Sequence, residues 1–253
     1  MACCLLAYIQ YIMADMYPFL IFLHRVIRFL GNRLAPKTLV SARLFSNAIL
    51  KRYGTAFSGN IINVSGWDDR DREGSYYQEY FPNKKKYTIS NMEGKQKGYG
   101  SSASAGVEEI ELDLSVPLPL ALRGAFDVVY NHTTLEHIFD IEQAFANLCE
   151  MSSDAVILVV PSLQQIHIAE TYGDYWRMTP LGVAKRFLKY GLTPLVIATN
   201  EQPFAPVYTF AIAVRDPKKY EAKIEKNLDV EMGGALYGSK IEKRFIEKVL
   251  VDE

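Results

Sequence analysis

Short apolar runs alternate with amphipathic stretches from Ser58 onward, which is the sequence form of a parallel sheet covered by helices. Six runs predict strands: Asn60 to Val64, Tyr87 to Met92, Val107 to Leu112, Phe126 to Asn131, Ala155 to Val160 and Pro194 to Ala198. Tyr208 to Val214 predicts a seventh. Between the fourth and fifth, Ile141, Phe145, Leu148 and Cys149 recur at helical spacing, so a covering helix is expected over Ile141 to Met151. A second helix is expected from Pro180, with proline in its first turn and Gly191 closing it. The fourth strand runs straight into a polar turn, Asn131-His132-Thr133-Thr134, with Glu136 and His137 following at a helix start. Ligands of open parallel sheets bind just past the carboxyl end of such a strand. Chemistry is therefore expected there.

Two stretches break the alternation. Lys95 to Gly106 is rich in glycine and serine and reads as a mobile loop, whereas Ser162 to Thr179 is too long for a simple strand-to-helix connection and reads as a lid or binding loop. The expected organisation is a helical N-terminal extension over 1–57, a sheet domain over 58–216 and a charged helical tail over 217–253. Within the tail, Lys218 to Asn227 and Lys240 to Val249 read as solvated helices.

The first thirty residues are mostly apolar, but Gln10, Asp15 and Pro18 interrupt the run of about 20 residues that a spanning helix needs. No basic residues precede the run as in a secretory signal. Helices packing on the domain or across a homodimer are one reading. An interfacial membrane anchor, with Arg25, Arg28 and Arg33 facing headgroups, is the other. The 28 basic and 29 acidic side chains nearly cancel, so bulk attraction to nucleic acid gains no support and no such partner is expected. Cys3 and Cys4 are adjacent and Cys149 stands alone, which supplies neither a disulfide framework nor a zinc spacing. A cytoplasmic setting and no metal site are the corresponding expectations.

Four segments, in order, resemble the class I S-adenosylmethionine-dependent methyltransferases. They are Ile62 to Pro82 (INVSGWDDRDREGSYYQEYFP), Asp113 to Asp140 with its LEH signature, Ile157 to Ser162 (ILVVPS) and His167 to Val183 (HIAETYGDYWRMTPLGV). The resemblance implies a seven-stranded, mostly parallel, doubly wound sheet of the Rossmann-like methyltransferase kind, with S-adenosyl-L-methionine as cofactor. It places cofactor contacts at Ser65, Gly66, Asn91, Asp113 and Asn131. The chain departs from the pattern in two places. One glycine stands where the family has two or three, with Trp67 behind it, and Asn91 replaces the ribose-binding acid.

Methyl transfer from a sulfonium is an in-line displacement, and a base is useful where the acceptor is a hydroxyl. His167 and His132 are the candidate catalytic histidines. Asp174, Tyr175 and Arg177 are candidate substrate contacts, although Arg177 lies close enough to Asp174 for a local ion pair. His137 reads as orienting the loop, and Tyr76, Tyr77 and Tyr80 as packing. The implied activity is methylation of a small-molecule or saccharide hydroxyl. The alternative is a non-catalytic protein of the same fold acting as a binding or scaffold subunit.

Overall fold

The computed structural model describes residues 18–23, 25–27, 29–31, 34, 41–92, 107–170, 172–200 and 205–228. The loop expected at 95–106, the helix expected at 240–249, all of residues 1–17, and Arg28 and Arg33 of the proposed anchor lie outside them.

Seven strands form one sheet: β1 (Gly59–Val64), β2 (Lys84–Asn91), β3 (Glu108–Glu111), β4 (Phe126–His132), β5 (Ser152–Leu163), β6 (Thr193–Thr199) and β7 (Val207–Val214). Their order is β3-β2-β1-β4-β5-β7-β6. The first five pair in parallel, whereas β7 runs antiparallel to both β5 and β6. All seven expected strands are present, with ends shifted by a few residues.

Successive side chains of a strand point to opposite faces, and both faces of this sheet are buried, so the strands read as continuous apolar runs. Ile62, Val129 and Leu158 face one core cluster, and Ile61, Val128 and Ile157 the other. The first face is covered by α2 (Ile141–Met151) and α3 (Pro180–Lys189), which contribute Phe145, Leu148, Val183 and Phe187. Asp140 caps α2 by accepting the Gln143 N–H, and Thr179 caps α3 by accepting the Gly182 N–H, with Pro180 following as expected. Gly191 closes α3 at φ 72°, a left-handed conformation that glycine adopts without strain.

The second face is covered by α1 (Ala42–Gly54), by a 3-10 turn at Tyr77–Tyr80 and by the segment after β7. That last segment corrects the expectation of a solvated helix over 218–227. It forms a 3-10 turn at Pro217–Tyr220, buries Tyr220, Ile224 and Leu228, and bonds to the edge of β6 through Ile197 N–H to Asn227 O and Asn227 N–H to Leu195 O. Burial of those three side chains outweighs the solvation of the lysines beside them.

Candidate functional site

The strand order reverses between β1 and β4, and a cleft of about 1020 Å³ opens there at the carboxyl ends of the strands. Its wall carries Ser65 to Asp68 after β1, Leu112 to Ser115 after β3, His132 to Thr134 and Glu136 to Phe139 after β4, and His167, Tyr172, Gly173 and Tyr175 after β5. Arg43 of α1 and Tyr208 of β7 complete it.

The turn after β1 bends without the family's glycines. Ser65, Trp67 and Asp69 take φ of 56°, 48° and 59°. Non-glycine residues there are strained by roughly 1 kcal/mol each, so the surroundings must hold them. Two buried carboxylates do so. Asp69 accepts from Asn63 Nδ2 at 2.7 Å, Tyr87 OH at 2.8 Å and Gln78 N–H at 2.9 Å. Asp71 accepts from Glu73 N–H, Ser75 N–H and Tyr80 OH at 2.7, 2.9 and 2.5 Å. Gly66 is needed for closeness rather than for φ, because a Cβ there would lie 2.6 Å from Asn63 Nδ2.

This turn is closed upon itself. The N–H groups of Ser65 and Gly66 donate to Ser90 Oγ and Ser90 O, and that of Trp67 to Asn91 Oδ1 at 2.8 Å. Ser65 and Gly66 both line the cleft, as expected of cofactor contacts, but their backbone N–H groups are spent on Ser90. Asn91 is engaged too. It is buried, its Nδ2 donates to Trp67 O and Glu109 Oε1, and its side chain clamps the turn instead of meeting a ribose. Asp113 does stand on the cleft wall, accepting from Ser115 N–H and Oγ at 2.7 Å.

After β4, Asn131 is fully buried and donates Nδ2 to Val64 O at 2.9 Å, tying β4 to β1, so its assignment as a cofactor contact is also corrected. His132 reaches the cleft, but Nε2 lies 3.1 Å from Ser46 Oγ and Nδ1 2.9 Å from Thr133 Oγ1. Burial, reinforced by the Arg43 charge, pushes its pKa well below the ordinary histidine value. Both ring nitrogens are engaged within the protein, by Ser46 and Thr133.

The LEH residues form a 3-10 turn, Leu135–His137, ahead of α2. Glu136 is fully buried, and neither carboxylate oxygen has a hydrogen-bond partner among the described residues. Burial raises its pKa to about 8. His137 donates Nδ1–H to Gly173 O at 2.6 Å, and burial lowers its pKa. It orients the facing loop, as the sequence suggests.

That loop is stapled from within. Arg177 holds Asp174 bidentately at 2.5 and 2.6 Å and also donates to Gln164 O, Gln165 O and Trp176 O. The guanidinium keeps the Asp174 carboxyl well below the usual carboxylate range. Asp174 and Arg177 thus neutralise each other inside the loop, and their assignment as substrate contacts gives way to the local pair. Tyr175 is half exposed on the cleft, edge-on to Phe139 at 5.5 Å between centroids. Its N–H and that of Trp176 donate to Glu136 O, joining the two loops. His167 lines the cleft with Nδ1 3.3 Å from Asp174 Oδ2.

Several cleft residues escaped sequence reasoning. Arg43, which donates to Tyr77 OH at 2.7 Å, lies in a segment without a recognisable motif, and Arg72 lies within the Ile62 to Pro82 segment but was not singled out there. Glu136 was visible within LEH, yet nothing in one dimension shows that its oxygens lack partners.

No protein-family model matches the chain, and no match was found among curated proteins. Solved structures do match. The 1,6-didemethyltoxoflavin-N1-methyltransferase of Burkholderia thailandensis, crystallised with 1,6-didemethyltoxoflavin and S-adenosylhomocysteine, superposes with a TM-score of 0.51 at 15% identity, covering 79% of this chain and 89% of that one. The magnesium protoporphyrin IX methyltransferase of Synechocystis, crystallised with S-adenosylhomocysteine, gives a TM-score of 0.50 at 12% identity over 69% of this chain and 83% of that one. The fold is that of the class I S-adenosylmethionine-dependent methyltransferases.

Proposed function

We propose that this protein binds S-adenosylmethionine in the cleft and transfers its methyl group to a hydroxyl of a small molecule or saccharide. The observation that carries the reading is the open cleft at the switch point of a methyltransferase-fold sheet. Its residues fit the cofactor's parts. Leu112, Leu114 and Ile138 offer an apolar wall for the base, with Asp113 beside them, and Arg43 and Arg72 are cations for the cofactor carboxylate in place of the amides spent on Ser90 and Asn91. When bound, the cofactor supplies an electrophilic methyl carbon on a sulfonium. Glu136, His137 and His167 would stand together on the cleft wall, where they can orient the acceptor hydroxyl toward that carbon. Tyr175 and Phe139 wall off water at the acceptor end.

The consumed amides of the turn favour a second reading, a methyltransferase-fold protein that no longer binds the cofactor and serves as a binding subunit. Calorimetric titration with S-adenosylmethionine and S-adenosylhomocysteine separates the two, with binding heat expected for both ligands. No heat and no thermal shift at millimolar ligand overturns the enzymatic reading. Binding created only in a Ser65→Gly, Trp67→Gly double variant would mean that the activity has been lost from a competent fold.

We propose peripheral membrane contact through the N-terminal segment, supported by the exposure of Phe19, Phe22, Ile27 and Phe29 on helical residues of 18–31. Among the described residues no helix is long and apolar enough to cross a membrane. Flotation with anionic liposomes should be lost on deletion of residues 1–30, and equal flotation of both forms rejects the contact.

A further inference from the structure

We propose that Glu136, His137 and His167 bind one transition-metal dication of the zinc or cobalt class. One ligand atom from each lies within 4.8 Å of the other two. Glu136 is the strongest reason. It is fully buried, it lines the cleft, and both of its oxygens lack hydrogen-bond partners among the described residues. Two buried carboxyl oxygens that accept no hydrogen bond are costly, and a cation would compensate the ionised group and satisfy both oxygens.

The two imidazoles are prepared in the same sense. His137 Nδ1–H donates to Gly173 O at 2.6 Å, which leaves the lone pair on Nε2, the atom 3.8 Å from Glu136 Oε1. His167 Nδ1 lies 3.3 Å from Asp174 Oδ2, whose carboxylate is held by Arg177. The Gln164 amide lies 3.4 Å from the same nitrogen, and its oxygen is buried without a partner, so an exchanged amide would accept the Nδ1 proton as well. Metal-bound histidines almost always donate their second ring N–H to a carboxylate or a carbonyl, which is the pattern the His137 ring shows, while the His167 ring has the Asp174 carboxylate within ion-pair reach. The rings meet edge to face, with centroids 4.8 Å apart.

A tetrahedral ion with bonds of about 2.0–2.1 Å needs ligand atoms about 3.3 Å apart, so the cluster must contract by on the order of 1 Å. Rotation of His167 supplies this, since its side chain is 37% exposed against 18% for His137 and 0% for Glu136. Two imidazoles and one carboxylate favour zinc or cobalt over magnesium or calcium. Three protein ligands leave a position open toward the cleft. The ion's use there rests on the methyltransferase reading, in which the open position takes the acceptor hydroxyl and eases loss of its proton. Its binding does not depend on that reading.

The test is titration of chelator-treated, dialysed protein with zinc chloride by calorimetry and with cobalt chloride by visible absorption, with magnesium and calcium chloride in parallel. One zinc per chain is expected, together with cobalt d–d bands that zinc displaces and no response to magnesium or calcium at matching concentration. His167→Ala and Glu136→Gln should each weaken zinc binding by about tenfold or more. No zinc heat up to millimolar metal, or wild-type affinity in His167→Ala, overturns the proposal. Should Glu136→Gln fail to fold, the His167 variant decides alone, because its side chain is half exposed in a loop. Zinc binding without any response to S-adenosylmethionine would keep the metal site and remove the methyltransferase reading. The opposite result would do the reverse.

Discussion

Two turns face each other across the cleft, and they treat their buried charges in opposite ways. In the turn after β1 every buried carboxylate oxygen is answered, with Asp69 and Asp71 each accepting three hydrogen bonds from side chains and backbone. In the turn after β4, Glu136 is as deeply buried and accepts none among the described residues. The first turn spends its polar groups on its own shape, which is what three left-handed non-glycine residues require. The second keeps a polar group in reserve beside two histidines. A satisfied network rigidifies, whereas an unsatisfied one points to a ligand.

Substitutions can break this contrast. The largest effect is expected for Asp69→Ala, which strands Asn63 Nδ2, Tyr87 OH and the Gln78 N–H and should cost about 3 kcal/mol in urea denaturation. Gly66→Ala should follow at about 2 kcal/mol, because its Cβ would press on Asn63 and displace the same clamp. Glu136→Gln should change stability in metal-free protein by no more than about 1 kcal/mol, since no hydrogen bond is lost. A loss as large as that of Asp69→Ala would erase the distinction between the two turns.

The smallest effect is one of pH. Burial pushes the Asp71 carboxyl upward, but the hydrogen bonds from Tyr80, Ser75 and Glu73 outweigh it and hold the folded pKa below the ordinary value. A carboxyl lowered in the folded state stabilises fully above its unfolded pKa and loses that contribution as pH falls through the folded one. Asp71→Asn should therefore flatten the acid limb of stability against pH, read by denaturation over an acidic series. An unchanged limb would mean that Asp71 is not held by those bonds.

Much of the fold was legible along the chain. A sheet buried on both faces demands continuous apolar runs, and each of the seven was visible, as were the proline at the start of α3 and the glycine at its end. The segment after β7 was misread because its lysines suggested solvent, while Tyr220, Ile224 and Leu228 bury against the sheet. At the site, the ion pair of Asp174 and Arg177 followed from their short spacing. The intramolecular bonds of Asn91 and Asn131 could not be read in the sequence, because an amide's partner is chosen by whatever the neighbouring segment presents. Trp67 and Glu109 for Asn91, and Val64 for Asn131, are such neighbours.

Local pattern thus determined the strands, the two covering helices and the place where the cleft would open, since apolar periodicity and capping act over a few residues. Only the tertiary structure decided the insertion of β7 between β5 and β6, the self-closure of the Ser65 to Trp67 turn, and the meeting of Glu136 and His137 with His167. Those contacts join residues far apart in the chain, and they exist because β4 and β5 lie side by side in the sheet and deliver their loops to one cleft.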